Sequence, residues 1–412
     1  MKLWCEHAWL GGAAAVPGVL LEIAEGRIGS VSPGVPAEGE RLPGLTLPGL
    51  ANAHSHAFQR ALRGRTQVGT GSFWTWREQM YELASSLDPD AVLKIARATF
   101  GEMALAGITC VGEFHYVHHN PDGTPYDDPN ELGRAVIAAA AEAGIRITLI
   151  DACYLHGGIA RFRDASVEAW MERVSALGAD TRVGAAIHSV RAVDPASAAA
   201  IATWAGDRPL HAHVSEQTGE NDWCAAEYGM TPTAVLAEAG ALSPAFTAVH
   251  ATHLTENDIA LLHQATVCLC PTTERDLADG IGPAQRFGRL ATGSDSQAVI
   301  DPFEEARAIE LDERLATGVR GVHTTPALLA AATNHAAIGW PEAGRLEPGA
   351  LADLVTVSLD SVRTAGGTDP LATAVFAATA TDVRDVMVGG AWIVRGGAHA
   401  TLDVAAELRA VL

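Results

Sequence analysis

The amino-acid sequence predicts an α/β fold, a parallel (β/α)8 TIM-type barrel joined to a small β-sandwich domain built from the N- and C-terminal segments. Short apolar runs suited to strands alternate with alanine-rich stretches of helical character through the middle of the chain. Several helical stretches end in glycine, where a helix C-cap is expected: Gly107, Gly144 and Gly178. The predicted barrel strands are 50–54, 108–113, 145–151, 183–188, 210–214, 247–250, 267–270 and 290–295, and the clearest predicted helices are 90–106, 129–143, 165–177 and 231–239.

The two ends of the chain predict the small β domain. Three short β-like runs at 3–9, 19–23 and 27–31 contain too little apolar surface for a core of their own. Similar runs occur near the other end, at 352–357 and 383–394, the second with a Gly-Gly turn. We therefore expect residues 1–46 and 341–412 to form one small β domain, with the barrel of residues 47–340 inserted between its two parts.

Charge excludes several classes of partner. The 412 residues include 49 acidic and 28 basic side chains, a formal net charge of -21. Nucleic acids and anionic membranes need a basic surface, so we expect neither as a partner. An anionic small substrate is compatible with the sequence if arginines are concentrated at its binding site. No run of 18 apolar residues predicts a membrane span.

The cysteines and the start of the chain predict a cytoplasmic protein. The first residues lack the uninterrupted apolar core of a signal peptide. Six cysteines are scattered without a CxxC pair, as is typical of reduced thiols in a core. We interpret Cys268 and Cys270, which lie two apart in an apolar run, as buried thiols rather than as a metal-binding pair.

The HxH motif of His54 and His56 is the start of a predicted metal site. Residues two apart on a strand point to the same face, so both imidazoles leave the end of the strand on one side. Alone, the pair is a weak signal and fits two ordinary half-buried histidines better than a ligand pair. Histidines also follow three later predicted strands, however, and the catalytic groups of a barrel lie at the C-terminal ends of its strands. These histidines are His188, His211, His213, His250 and His253.

Two further ligands complete the predicted site. His211 and His213 in HAHVSE share a face, and either could bind a metal. We choose His213, because it lies nearer the strand end and precedes Glu216 by three residues. Asp295 in TGSDS is the fourth ligand, and Gly293 leaves room beside it. Three imidazoles and one carboxylate form a site with an open position for water, for which Zn²⁺ is the default ion and Fe²⁺ or Mn²⁺ is an alternative.

This motif set resembles the mononuclear-metal deaminases of the amidohydrolase superfamily, which share HxH after the first barrel strand, HxxE after the fifth, His after the sixth and GSD after the eighth. The likeness covers essentially the whole chain. The fuller pattern HSHAFQRALRG, SFWTWREQMY, EFHYVHH, HSVRAV and HVSEQ is similar to the formimidoylglutamate deiminases of histidine degradation. The resemblance implies hydrolytic deamination of N-formimino-L-glutamate to N-formyl-L-glutamate and ammonia, one divalent metal per chain, and a homodimer.

The resemblance also implies three catalytic roles. Asp295 both binds the metal and accepts a proton from the water bound there. His250 orients or polarises this water, and a purely structural role for a buried histidine at a strand end is the less favoured alternative. Glu216 moves a proton between the water and the leaving nitrogen.

Two arginines are candidates for binding a substrate with two carboxylates. Arg191 lies three residues past His188, and Arg77 lies in WTWREQMY after the first barrel strand. Arginine holds a carboxylate in a bidentate fork. At an effective dielectric constant near 20, opposite charges about 4 Å apart attract by roughly 4 kcal/mol, enough to outweigh a diffuse acidic surface. By resemblance, Gln59, Tyr116 and His188 add neutral hydrogen bonds.

Other functions stay open. A deaminase of a purine or another nitrogen heterocycle would use the same metal site, and Trp74 and Trp76 could stack on its ring. A neutral base does not require two cationic anchors, however, so Arg77 and Arg191 favour the dicarboxylate. An amidase, a chlorohydrolase and a non-catalytic barrel are further alternatives.

Two more segments invite a functional interpretation. Residues 60–88 are glycine- and tryptophan-rich, and they fit a lid, a dimer contact or a packed insertion above the barrel. The second histidine cluster has loop-like spacing and no further assigned ligands, so we do not expect a second metal there. Its members are His115, His118 and His119.

Overall fold

Two eight-stranded sheets form the framework of the chain. The computed structural model describes residues 1–178 and 181–411. The strands are β1 (Lys2–Ala8), β2 (Val16–Ala24), β3 (Arg27–Pro33), β4 (Glu40–Pro48), β5 (Leu50–Ser55), β6 (Ile108–His115), β7 (Arg146–Cys153), β8 (Val183–Ile187), β9 (Leu210–Val214), β10 (Phe246–His250), β11 (Thr266–Leu269), β12 (Leu290–Thr292), β13 (Leu354–Val357), β14 (Val383–Val388), β15 (Ala391–Arg395) and β16 (Ala398–His399). The helices are α1 (Phe73–Ser86), α2 (Pro89–Leu105), α3 (Glu131–Ala143), α4 (Val167–Ser175), α5 (Pro195–Ala205), α6 (Thr218–Tyr228), α7 (Pro232–Glu238), α8 (Glu256–Leu261), α9 (Pro271–Leu277), α10 (Pro302–Thr317), α11 (Thr325–Ala332), α12 (Pro370–Ala377) and α13 (Val404–Val411).

Strands β5 to β12 form the barrel. They lie in sequence order and each pairs in parallel with the next. Two backbone hydrogen bonds close the ring between the end of β5 and the residues after β12: His56 N–H donates to Asp295 O, and Asp295 N–H donates to His54 O, both at 3.0 Å. The predicted (β/α)8 barrel is confirmed, and the chain segments that carry three predicted metal ligands are the ones that close it.

Helix boundaries follow local sequence signals. The Asp88 side chain accepts a hydrogen bond from Ala91 N–H and caps α2, whose first residue is proline. Gly107, with φ of 93°, and Gly144, with φ of 76°, follow the ends of α2 and α3 in the left-handed conformation. The four clearest predicted helices correspond to α2, α3, α4 and α7. The structure adds α1, which occupies much of the segment at 60–88.

Both ends of the chain contribute to the second sheet, as the sequence predicted. Its strand order is β16-β15-β14-β13-β4-β1-β2-β3, and the termini meet where β13 pairs antiparallel with β4. The predicted Gly-Gly turn, Gly389 and Gly390, connects β14 to β15. Only Gly49 separates β4 from the first barrel strand. The exact domain boundaries at residues 46 and 340 stay a prediction.

Cysteines lie inside the protein. All six thiols are free and buried: Cys5, Cys110, Cys153, Cys224, Cys268 and Cys270. Across residues 1–178 and 181–411, no helix combines the length and the apolar character needed to cross a bilayer.

Candidate active site

Four side chains converge at the C-terminal end of the barrel with the spacing of metal ligands. His54 Nε2 lies 3.2 Å from His213 Nε2 and 3.3 Å from Asp295 Oδ1, and His56 Nε2 lies 3.3 Å from the same carboxylate oxygen. Ligand atoms arranged tetrahedrally at about 2.0–2.1 Å from a zinc ion are about 3.3–3.4 Å apart. These three distances therefore fit donor atoms that share one ion. Among the described residues, His54, His56 and Asp295 form one group spaced to hold an ion, and His213 joins His54 and His250 in another.

Two backbone carbonyls fix the tautomers of His56 and His213. His56 Nδ1 lies 2.8 Å from Phe114 O, and His213 Nδ1 lies 2.9 Å from His188 O. A carbonyl oxygen only accepts, so each Nδ1 carries the proton. Each Nε2 then has a free lone pair directed at the cluster.

Burial keeps these groups in the protonation states that bind metals. Burial lowers the pKa of His54 to about 3, and it also lowers the pKa values of His56 and His213. Burial alone would raise the pKa of Asp295, but its hydrogen bond to His54 and the surrounding histidines lower it well below its ordinary value. Neutral imidazoles and an ionised carboxylate are the forms that coordinate a divalent ion.

Strained backbone lies at the ends of the strands that carry the site. Ser215, His250 and Asp295 have φ values of 51°, 66° and 43°, which non-glycine residues rarely adopt. Such strain costs of order 1–3 kcal/mol per residue and concentrates at functional sites. Here it turns the chain at the barrel rim beside the cluster.

His250 is surrounded by carboxylates. Its Nε2 lies 3.7 Å from Glu216 Oε1 and 3.7 Å from Asp295 Oδ2, and its Nδ1 lies 3.3 Å from Glu274 Oε1. Burial opposes the charged form of His250, but these carboxylates outweigh it and raise its pKa well above the ordinary value. Burial raises the pKa of Glu216 to about 7. Glu216 can therefore hold or release a proton near neutral pH, whereas His250 keeps its proton there.

We expect that no side chain fits at position 293, which is occupied by Gly293. A Cβ there would lie 2.7 Å from His54 O and 2.9 Å from Cys270 Sγ, so His54 would have to move. We expect Gly293→Ala to lower the free energy of unfolding by about 1–3 kcal/mol and to reduce metal occupancy. Chemical denaturation and metal analysis would check this result.

Gly288→Ala is the matched control, because no atom lies within 4 Å of a Cβ at that position. Equal stability and equal metal occupancy in the two variants would show that the space beside His54 is not restricted.

A pocket opens beside the cluster and encloses about 550 Å³ that protein atoms leave free. All five predicted substrate-binding residues line it: Gln59, Arg77, Tyr116, His188 and Arg191. So do five residues of the predicted metal and acid–base set: His56, His213, Glu216, His250 and Asp295. The structure thus brings the sequence-predicted residues to one cavity, while their individual roles stay predictions.

Helix α1 forms one wall of this pocket. Phe73, Trp76, Arg77, Met80 and Tyr81 line the cavity from this helix. The segment at 60–88 therefore covers the site, which fits both the lid and the packed insertion predicted for it. Trp74 points away, with 41% of its surface exposed.

Several supporting residues were not assigned from the sequence. Glu274 contacts His250 and also accepts a hydrogen bond from Cys270 N–H at 2.9 Å. Glu113 accepts hydrogen bonds from Ser55 Oγ at 2.5 Å and Ala57 N–H at 2.6 Å, on either side of His56. A carboxylate at the end of an apolar strand is a detectable signal for Glu113. Nothing in the sequence links Glu274 to a histidine 24 residues earlier.

Two other histidine groups lie apart from the cluster. His211 Nε2 contacts Ala337 O at 3.0 Å, which supports the choice of its neighbour at position 213. His118 Nε2 contacts Ala152 O at 2.9 Å. Among residues 1–178 and 181–411, the His, Cys, Asp and Glu groups spaced to hold an ion include none of His115, His118 and His119.

The fold and the site together define a metal-dependent hydrolase built on a TIM barrel. The model of the amidohydrolase family matches residues 45–393, most of the chain. The chain belongs to the amidohydrolase family, whose members are typically metal-dependent, and it is a hydrolase that acts on carbon–nitrogen bonds.

Known deaminases are similar to the chain over most of its length. Formimidoylglutamate deiminase of Pseudomonas aeruginosa is 39% identical, with 92% of this chain and 91% of that protein covered. 5-Methylthioadenosine/S-adenosylhomocysteine deaminase of Natronomonas pharaonis is 31% identical, with 89% and 85% covered.

Solved structures support the same fold. An amidohydrolase from Brucella melitensis has a TM-score of 0.92 at 32% identity, with 100% of this chain and 98% of that chain covered. An adenosine deaminase from Xanthomonas campestris with bound zinc has a TM-score of 0.87 at 24% identity, with 100% and 96% covered, and shows a shared fold alone. These relatives share a barrel and differ in substrate, so the pocket of this chain has to indicate which substrate it takes.

Proposed function

We propose that this chain hydrolyses N-formimino-L-glutamate to N-formyl-L-glutamate and ammonia, using one divalent metal ion. The observation that carries the proposal is the presence of two arginines, Arg77 and Arg191, in the wall of a pocket that also contains the histidine–aspartate cluster. The 39% identical formimidoylglutamate deiminase supports it. A place in histidine degradation and a homodimer stay predictions from the resemblance.

Both arginines have nitrogen atoms available for a ligand. Arg191 contacts Glu220 through Nε at 3.5 Å, and no other described carboxylate pairs with it. Its outer amino groups are therefore available for a bidentate contact. Arg77 stacks over the Trp74 ring at 4.6 Å, and its buried Nε has no acceptor within the described chain. A substrate with two carboxylates would supply both missing acceptors.

We propose Zn²⁺ as the ion, with Fe²⁺ or Mn²⁺ as alternatives on the same donors. Three neutral imidazoles and one carboxylate are a common zinc set with one open position. When bound, such an ion lowers the pKa of a water molecule and supplies hydroxide near neutral pH. His54, His56, His213 and Asp295 would hold it.

The surrounding side chains then move the protons. Asp295 Oδ2 and Glu216 Oε1, both 3.7 Å from His250 Nε2, are placed to accept the proton of the attacking water. Attack on the formimino carbon gives a tetrahedral carbon with two nitrogens and one oxygen. Glu216 passes a proton to the departing nitrogen, and ammonia leaves while the carbonyl of the N-formyl product forms. His250 orients the water and stabilises the charge on Glu216.

Arg191→Ala is expected to lower kcat/KM for N-formimino-L-glutamate by about 10- to 1,000-fold, chiefly by raising KM. The loss leaves one substrate carboxylate without its partner. Steady-state kinetics at one metal per chain would measure the change.

Arg208→Ala is the control, because Arg208 is exposed and its side chain contacts the carbonyl and the ring of Trp204, away from the pocket. An unchanged kcat/KM in Arg191→Ala would remove carboxylate binding from Arg191. A loss of metal in that variant would mean that its effect is structural.

A purine substrate is the second candidate, because aromatic side chains line the pocket and could stack on a base: Phe73, Trp76, Tyr81, Tyr116, Tyr154 and Phe162. We would compare kcat/KM for N-formimino-L-glutamate, N-formiminoglycine and 5′-methylthioadenosine. The proposal predicts that the dicarboxylate is the best substrate and that loss of the side-chain carboxylate costs at least tenfold. Preference for the nucleoside would overturn it.

A further inference from the structure

A second group of potential ligands lies beside the first. One ligand atom from each of Glu216, His250 and Asp279 lies within 4.8 Å of the others, and all three residues are buried. None of the three belongs to the predicted ligand set of the first ion. Asp279 has no role in the proposed chemistry.

Asp279 is a buried carboxyl group with an unused oxygen. Its side chain belongs to a residue only 3% exposed, and Gln217 Nε2 donates to its Oδ1. Within residues 1–178 and 181–411, its Oδ2 has no hydrogen-bond partner. A buried oxygen without a partner is costly, and an ion or a donor bound there would remove that cost.

Several carboxyl groups surround His250 at this second group of ligands. Carboxylates of Glu216, Glu274 and Asp295 lie within 3.7 Å of His250 ring nitrogens, and Asp279 lies beside them. An ion on the first site would offset the charge of Asp295. Burial raises the pKa of Asp279 to about 9, so near neutral pH this carboxyl group holds a proton that a bound cation would displace.

We infer that Glu216, His250 and Asp279 form a second, inhibitory site for a divalent cation such as zinc. An equilateral triangle with 4.8 Å sides places a central ion about 2.8 Å from each corner, so each side chain has to move by less than about 1 Å to reach a normal zinc distance. One nitrogen and two oxygens are a suitable donor set, with water in the fourth position.

Inhibition follows from the identity of the ligands. A cation on this site displaces a proton from a His250 ring nitrogen into solvent and takes that lone pair together with an oxygen of Glu216, the two groups that orient water and transfer protons. The inhibition rests on the proposed function, whereas binding of the second ion does not. The two can therefore fail separately.

Equilibrium dialysis against buffered zinc would test the site. The wild-type protein is expected to bind one zinc at low free zinc and a second as free zinc rises, with turnover falling at least tenfold as the second ion binds. Asp279→Asn is expected to raise the dissociation constant of the second zinc at least tenfold. The zinc concentration that inhibits turnover is expected to rise by the same factor. The turnover of each variant is expressed relative to the turnover of the same variant with one zinc bound per chain.

Asp276→Asn is the matched control, since Asp276 is exposed on α9 and bonds to Gln67. It is expected to bind the second zinc as the wild type does. Equal second-zinc binding by both variants, or one zinc per chain up to 1 mM free zinc, would overturn the proposal.

Anomalous diffraction at the zinc edge from zinc-soaked wild-type crystals gives a readout that needs no variant. The inference predicts a second peak between Glu216, His250 and Asp279. Absence of that peak at millimolar zinc would contradict the inference even if Asp279→Asn did not fold. Neither binding measurement depends on turnover of N-formimino-L-glutamate.

Discussion

Replacing Glu216 with glutamine lowers kcat by about a thousandfold while metal content stays at the wild-type level. Glutamine keeps the shape of the side chain and its oxygen near His250, but it cannot carry a proton to the leaving nitrogen. General acid–base catalysis contributes about 10²- to 10⁴-fold. Glu216 is buried beside His250. Among the described residues that line the pocket, the other carboxyl group belongs to Asp295, which is a predicted metal ligand.

The pH profile separates proton transfer from a structural effect. Burial raises the pKa of Glu216 to about 7, and only its carboxylate form can accept the first proton. Activity therefore falls as pH decreases through this pKa and is regained as pH rises. A bound divalent cation favours the carboxylate form, so the fall in activity on the acid side of the profile (the acid limb) is expected at a pH below about 7. The fall in activity that follows Glu216 is expected in the wild type and absent in Glu216→Gln, where only the ionisation of the water would still lower activity at acid pH.

Glu227→Gln is the control, because Glu227 is exposed on α6, the helix that follows Glu216. It is expected to retain the wild-type rate and profile. A Glu216→Gln enzyme that kept most of its turnover would remove this residue from proton transfer.

Replacing His213 with asparagine is expected to abolish metal binding and activity together. His213 Nε2 lies 3.2 Å from His54 Nε2, and asparagine offers no imidazole nitrogen at that place. We expect less than about 0.1 metal ion per chain after dialysis and a loss of turnover of at least about 10³-fold. Adding zinc to the metal-free wild type restores activity, but adding it to His213→Asn does not.

His211→Asn provides the comparison. The sequence alone left His211 as an alternative ligand, and the structure places its Nε2 against Ala337 O at 3.0 Å. Losing this contact is expected to cost about 1 kcal/mol of stability without changing the metal content. Loss of metal from His211→Asn, with retention in His213→Asn, would reverse the ligand assignment.

The barrel could be predicted from sequence because its signals are local. Each of the strands β5 to β12 is a short apolar run, and glycines mark the ends of α2 and α3. The convergence of His54, His56, His213 and Asp295 then follows from the rule that the C-terminal ends of barrel strands meet on one face. Ligand choice between His211 and His213 rested on distance from the strand end.

The supporting groups could not be predicted because they depend on contacts between distant segments. Glu220 lies 29 residues from Arg191, and Asp279 lies 62 residues from Gln217. No periodicity in the sequence connects either pair. Helix α1 was also missed as an element, since the glycines and tryptophans at 64–76 obscured the helical pattern that continues to Ser86.

The most direct test is the reaction of purified, metal-analysed protein with N-formimino-L-glutamate. Ammonia and N-formyl-L-glutamate are measured together, and turnover is normalised to metal content. Equal amounts of the two products, formed in proportion to about one metal ion per chain, are the predicted result. Protein with one metal ion per chain that releases no ammonia from this substrate would contradict the proposed function.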